Sequence, residues 1–252
     1  MPRKRARNRA CPALLLAALW LPCCAPSERP SLPPPARGAE NIFFGGYEWR
    51  VLAAQDGKAL LLAEEIIAFN IYDVRVLPGI GVPVTWESSA LREYLNGEFY
   101  GSFSEEDRAR IIETVNKNGD NPWYGKAYTS KGGGDTSDKI FLLSIEEVLH
   151  YFGGGALPGE PAKDTWVNDQ YNASRIALTA LPHPHRPEDF PAGTAWLWWL
   201  RSPGAPAGFY GGAFHESGIS RAAFVSAAGY VSVYGFPVDE AEGVRPALWL
   251  EL

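Results

Sequence analysis

The chain has 252 residues, 46% hydrophobic and 13% aromatic, enough for one sizeable core and not so long as to require a second folded domain. Its net charge is -6, but five of its 23 Lys and Arg residues stand among the first nine, so the remainder sets 18 bases against 29 acids and carries -11. That balance argues against nucleic acid as a partner, since phosphate binding needs clustered Lys and Arg, and the three cysteines, Cys11, Cys23 and Cys24, leave no disulfide, Cys-ligated zinc or catalytic thiol after residue 24.

Residues 1–24 read as a lipoprotein signal peptide. Arg3, Lys4, Arg5, Arg7 and Arg9 form a basic start, and the apolar run over 10–21 is shorter than the roughly 20 residues that span a bilayer. The run ends in Leu21-Pro22-Cys23-Cys24, which resembles a bacterial lipobox. Cys24 is the expected lipidated residue, with Leu21 three positions before it; Cys23 is the alternative. Residues 25–40 hold Pro26, Pro30, Pro33, Pro34 and Pro35 and read as a stiff, extended tether. The expected location is extracytoplasmic, at the cell surface or in the periplasm, on a membrane through the N-terminal lipid.

The remaining residues, 41–252, read as one domain. Tyr47-Glu48-Trp49-Arg50-Val51-Leu52 and the apolar run over 59–67 flank Gln55-Asp56-Gly57-Lys58, a strong hairpin signal. An irregular loop with Pro78, Gly79, Gly81 and Pro83 follows. Ser88 or Ser89 caps a short helix over 90–95 that Asn96-Gly97 is expected to end, and Ser104 caps a second helix whose buried end is Ile111 and Ile112. The stretch 116–138 is a polar loop rich in Asn, Asp, Gly and Ser. Its oxygens suit Ca²⁺, but the spacing is not that of an EF-hand, and Asx-turns and caps account for the composition. No cofactor is expected.

Further on, Lys139-Ile140-Phe141-Leu142-Leu143 reads as a strand, and Ser144 caps a helix over 145–151 that stops at Gly153-Gly154-Gly155. A helical turn is expected around Tyr171-Asn172. His183-Pro184-His185 reads as an exposed loop rather than a metal site, because no third His or Cys lies close in sequence.

The last third has a frame and a middle. Trp196-Leu197-Trp198-Trp199-Leu200-Arg201-Ser202-Pro203-Gly204 and Gly243-Val244-Arg245-Pro246-Ala247-Leu248-Trp249-Leu250 both read as strands. Trp198, Trp199 and Trp249 are expected in the core, with Arg201 and Arg245 holding loop carbonyls or a carboxylate. Between them, Ala227-Ala228-Gly229 reads as a turn between two strands. Alternation places Val231 and Val233 on one face and Tyr230, Ser232 and Tyr234 on the other. The candidate ligand-binding face is Phe209, Tyr210, Phe214, His215, Glu216, Arg221, Phe224, Tyr230, Tyr234 and Phe236.

Taken in order, Phe44-Gly45-Gly46-Tyr47-Glu48-Trp49-Arg50-Val51-Leu52, Leu91-Arg92-Glu93-Tyr94-Leu95-Asn96, Asn116-Lys117-Asn118, Asp138-Lys139-Ile140-Phe141-Leu142-Leu143-Ser144 and the two framing strands resemble the DUF6273 family of bacterial, often lipoprotein-anchored domains. The family resembles, more distantly, C-type lectin-like and formylglycine-generating-enzyme-like folds. The resemblance implies an α+β, C-type lectin-like single domain with short helices, antiparallel hairpins and long irregular loops, and a ligand-binding face near the C-terminus. It does not imply catalysis, since the formylglycine-generating enzyme works through cysteines. Some C-type lectin-like domains are targets of diversity-generating retroelements, and 205–242 has suitable chemistry for such variation.

The functional expectation is a lipid-anchored, extracytoplasmic ligand-binding or adhesion protein with a protein or glycan partner, and not an enzyme. The competing readings are an extracytoplasmic hydrolase using Glu216 or Asp239 with His215, and a structural envelope lipoprotein. No nucleophile elbow, zinc signature or phosphate loop supports the first of these.

Overall fold

The computed structural model describes residues 41–74, 84–121, 131–153, 166–205 and 220–252, with the backbone of 209–210 and 213–214. Strand β1 (Asn41–Phe44) pairs with β2 (Tyr47–Gln55), which turns into β3 (Lys58–Ala63). Asp56 and Gly57 both take positive φ, 51° and 73°, as a two-residue type I′ turn demands. Strand β4 (Ala68–Ile71) continues the chain.

Helix α1 (Ala90–Tyr94) begins where the Ser89 hydroxyl accepts the Arg92 N–H at 3.2 Å. The expected stop at Asn96-Gly97 does not occur, and the chain runs on through a π-helical turn, Leu95–Phe99. Asn96 is occupied elsewhere: its amide donates to the Ile140 carbonyl at 2.8 Å, and its oxygen accepts the N–H groups of Lys139 and Ile140. Helix α2 (Glu105–Arg110) has its Ser104 cap and three acids in the first turn. Ile111 and Ile112 are not its buried end; they form β5 (Ile111–Ile112).

The polar loop is clasped at its ends by β6 (Thr114–Asn116) and β7 (Thr136–Asp138), an antiparallel pair. The expected strand over 139–143 is reduced to one bridge, Phe141 with Ala247. Several of its other backbone groups have side-chain partners: Asn96 takes two N–H groups, and the Arg201 side chain donates to the Leu142 carbonyl, while the Arg201 N–H donates to that of Leu143. Helix α3 (Ile145–Phe152) starts in a full capping box between Ser144 and Glu147 and stops at Gly153, with φ of 86°.

The rest of the chain supplies β8 (Trp166–Val167), α4 (Asn172–Arg175), β9 (Ala177–Leu178), β10 (Ala195–Trp196), β11 (Trp198–Pro203), β12 (Phe209–Tyr210), β13 (Ala213–Phe214), β14 (Arg221–Val225), β15 (Val231–Pro237), β16 (Ala241–Val244) and β17 (Ala247–Glu251). Two larger sheets result, ordered β1-β2-β3-β17-β5 and β4-β16-β11-β14-β15-β8. Among the described residues, the parallel pairing in these sheets is β11 with β16, at Trp198 and Gly243. A Cβ on Gly243 would lie 2.3 Å from the Leu197 carbonyl oxygen, so this approach requires glycine.

The two sheets share a seam. β3 leads into β4 while β16 leads into β17, and these pair antiparallel on both sides of the crossing. The Ala63 N–H donates to the Pro246 carbonyl and the Ile67 N–H to that of Val244, which closes the crossing itself. One contiguous core joins both sheets and α3, with Trp49, Trp86, Trp198, Trp199 and Tyr72 among its largest buried side chains. Among the described residues, no helix is long and apolar enough to cross a membrane.

Candidate functional site

The five frame residues are all buried. Arg245 sits at the seam, where its Nε donates to the Ala63 carbonyl at 2.7 Å and Nη2 to that of Glu64 at 3.1 Å. Its guanidinium is 5.1 Å from the Trp198 ring centre and 5.9 Å from that of Phe152, whose ring Arg50 approaches to 5.7 Å. Burial, with Arg50 nearby, pulls the Arg245 pKa down to about 9, which still leaves it charged at neutral pH. Arg201 forms a two-pronged buried pair with Glu147, one prong at 2.8 Å, and also donates to the Leu142 carbonyl. Trp198 donates to the Arg175 carbonyl and Trp199 to that of Asn70. Trp249 lies beneath the Lys58 ammonium, 5.5 Å from its ring centre.

The residues expected on the ligand-binding face divide three ways. Arg221 lies at the end of β14, its guanidinium 4.5 Å from the Tyr234 ring centre and bonded to the Gly235 carbonyl. Tyr230, Tyr234 and Phe236 are half-buried. Phe224 is a correction: at 5% exposure it belongs to the core, because β14 has strands on both sides and a packed face on each. Phe209 and Phe214 are register partners in the β12–β13 hairpin, with Tyr210 opposite Ala213. His215 and Glu216 lie outside the described residues, as do the side chains of Phe209, Tyr210 and Phe214.

Cross-strand register explains what these aromatics build. Trp199, Phe224, Ser232 and Trp166 pair in sequence across β11, β14, β15 and β8, and so share one face of the sheet. On that face rings touch in series. Trp86 lies 6.3 Å from Tyr72, Tyr72 5.5 Å from Trp199, Trp199 6.4 Å from Phe236, and Phe236 5.8 Å from Phe224. Phe224 then meets Trp166 at 5.6 Å, and Trp166 meets Tyr230 at 6.4 Å. The series starts fully buried at Trp86 and ends at the sheet edge with Trp166, 41% exposed. Sequence reading missed Trp166. The available signal was an aromatic directly ahead of a run of amides, Trp166-Val167-Asn168-Asp169-Gln170-Tyr171-Asn172.

A second aromatic cluster corrects the reading of His183-Pro184-His185. Pro184 and His185 are exposed as expected, but His183 is buried and packs 4.8 Å from Trp196 and 5.0 Å from Phe69. Burial, together with Arg186 and His185, holds its pKa below the usual value. Phe190 completes the cluster 4.7 Å from Trp196, and Arg186 lies over Phe190. Beneath it the Trp196 Nε1–H donates to Glu242 at 2.6 Å. Burial pushes the Glu242 pKa up to about 7 against the pull of that hydrogen bond.

Among the described residues, the carboxylates of the polar loop have partners within the chain, whereas the buried side-chain oxygen of Asn118 has none. Asp138 is buried and accepts from Trp86, Asn116 and Thr136 on one oxygen and from Arg92 at 2.6 Å on the other. Asp120 pairs with Lys131, and Asp135 with Lys117. Among the described residues, no group of three or more His, Cys, Asp or Glu converges as metal ligands would.

These features define a mostly β, α+β domain in which a buried Arg–Trp frame carries an aromatic face to one sheet edge. The chain belongs to the DUF6273 family, a domain of unknown function whose model matches residues 56–252. No curated protein and no solved structure matches it.

Proposed function

We propose that this protein is a lipid-anchored, extracytoplasmic ligand-binding or adhesion domain that takes its partner on the edge of the six-stranded sheet. The observation behind this reading is the aromatic series that runs from the buried frame out to Trp166 and Tyr230. Rigid aromatic side chains bring contact area at low entropic cost, and a packed layer beneath them limits what is lost on binding. Arg221 and Tyr234 lie on the same pair of strands and supply a cation and a hydroxyl at the rim.

On this reading the domain is C-type lectin-like, with strands near the C-terminus framing the ligand. Cys24 carries the lipid, and the Pro-rich 25–40 segment holds the domain away from the membrane. Variation of the kind a retroelement introduces would fall on Ser226, Ala227, Ala228, Tyr230, Tyr234 and Phe236. It would spare Ala222, Ala223, Phe224, Val225, Val231 and Val233, which are buried.

The test is an array of glycans and extracytoplasmic proteins probed with the mature protein. Tyr230→Ala with Tyr234→Ala is expected to lose the captured partner while keeping the wild-type unfolding midpoint. Capture unchanged by both substitutions would remove this face from the reading.

A further inference from the structure

We propose that the partner is a neutral oligosaccharide, stacked on Trp166 and Tyr230 and hydrogen-bonded by the amides of Asn168 and Gln170; this rests on the reading above that the face binds a ligand. The first argument is charge. In a chain with 21% charged residues, the segment 222–234 has none, and 166–176 has only Asp169 and Arg175. Those two are bound to one another at 2.8 Å, and Arg175 is fully buried. Burial works against the Asp169 charge, but the Arg175 bond and the Tyr171 N–H hold its pKa below the usual range. Arg221, just ahead of the first segment, pairs with Pro237 at the end of β14–β15 away from β8 and lies over Tyr234, so at the Trp166 end an anionic ligand would find no spare cation in these segments, and a cationic one no spare carboxylate.

The second argument is presentation. Arg175 reaches the Asn172 side chain at 3.2 Å and the Gly153 carbonyl at 2.7 Å, which ties the 168–172 turn to the end of α3. Asn172 donates to the Asn168 side-chain oxygen at 2.6 Å, an arrangement that leaves the Asn168 NH₂ free to face outward. The turn also lies against the β14–β15 connection: a Cβ on Gly229 would come within 1.9 Å of the Asn172 carbonyl oxygen. Trp166, Asn168, Gln170 and Tyr171 are all exposed on this fixed turn and the strand before it, with Tyr230 beside Trp166. Flat aromatic surface suits the C–H face of a pyranose, and outward amides suit its hydroxyls. Neither contact calls for charge.

The test is calorimetric titration of the mature protein in detergent with neutral cello-, xylo-, malto- and N-acetylated chito-oligosaccharides of four to six units. A uronic-acid oligosaccharide and a sulfated one serve as charged comparators. At least one neutral series is expected to bind. Trp166→Ala should weaken it about tenfold or more, Trp166→Phe should restore most of the loss, and Phe43→Ala, an exposed aromatic on the other sheet, should change nothing. Binding of only the charged comparators, or neutral binding indifferent to Trp166, would overturn the proposal. If no oligosaccharide binds but a protein partner is captured and lost in Trp166→Ala, the carbohydrate assignment fails and the binding face stands. Absence of any partner in either format overturns both.

Discussion

Arg201 on β11 and Glu147 on α3 stand 54 residues apart in the chain and meet in a buried, two-pronged ion pair. The same carboxylate caps its own helix by accepting the Ser144 N–H at 2.8 Å. One glutamate thus fixes the start of α3, and one arginine fixes that helix to the six-stranded sheet. Arg201→Ala would leave Glu147 buried without its cation, and a loss of about 3–5 kcal/mol in unfolding free energy is expected. Urea denaturation at neutral pH measures it; a change under about 1 kcal/mol would mean that the pair contributes little.

Asp138 plays a comparable part at the end of the polar loop. Its oxygens gather Arg92, Trp86, Asn116 and Thr136, so three stretches of sequence converge on one buried carboxylate. Asp138→Asn keeps the shape but removes the charge facing Arg92 and turns one acceptor into a donor. Destabilisation of about 2–4 kcal/mol is expected by the same denaturation assay. Lys117→Ala, which removes an exposed ion pair to Asp135, should leave the urea midpoint close to that of wild type.

Glu242 sets a pH dependence. Its pKa of about 7, against an ordinary 4.5, means that the native protein holds a proton the unfolded chain has released. The native state therefore binds more protons between pH 4.5 and 7. This contribution to stability is fully present below 4.5 and is lost as pH rises through 7. Its ceiling is about 3 kcal/mol. His183, held below its usual pKa, acts in the opposite sense: its neutral form is favoured, and stability falls as it is protonated below pH 6.5. Comparing wild type with Glu242→Gln separates the two, since Gln still accepts the Trp196 N–H. The variant should gain on wild type as pH is raised from 5 to 8, by unfolding midpoint; parallel curves would contradict the assignment.

The N-terminus has its own test. Mass spectrometry of the mature protein is expected to find a lipid-modified Cys24 as the first residue. An unmodified N-terminus downstream of Cys24 would overturn the anchor.

Local rules served well where local interactions decide. Asp56-Gly57 specified its hairpin because few residues other than Gly, Asn and Asp accept positive φ, and Ser104 and Ser144 marked helix starts because their hydroxyls meet free N–H groups two or three residues on. The alternation correctly placed Val231 and Val233 inward, but Ser232, on the face of Tyr230 and Tyr234, is buried as well, because that face packs against Trp199 and Phe224. The errors came from distant partners. The apolar run over 139–143 has the composition of a strand, yet Asn96 and Arg201 take backbone groups a neighbouring strand would use. Phe224 was placed outside because nothing local tells a central strand from an edge one. Trp166 was overlooked because its place at the edge depends on pairing with Ser232, 66 positions along the chain. His183 and Glu242 likewise acquire their setting only when β4, β10 and β16 bring Phe69 and Trp196 to them.

The claim that matters most is that Trp166 and Tyr230 form the outer end of a binding face. Its most direct measurement is capture of a partner from the glycan and protein array by wild type, Trp166→Ala with Tyr230→Ala, and Phe43→Ala, with unfolding midpoints recorded for each. A partner held by wild type and Phe43→Ala and lost from the double variant at a near-native midpoint is the expected result. Equal capture by all three proteins would contradict it.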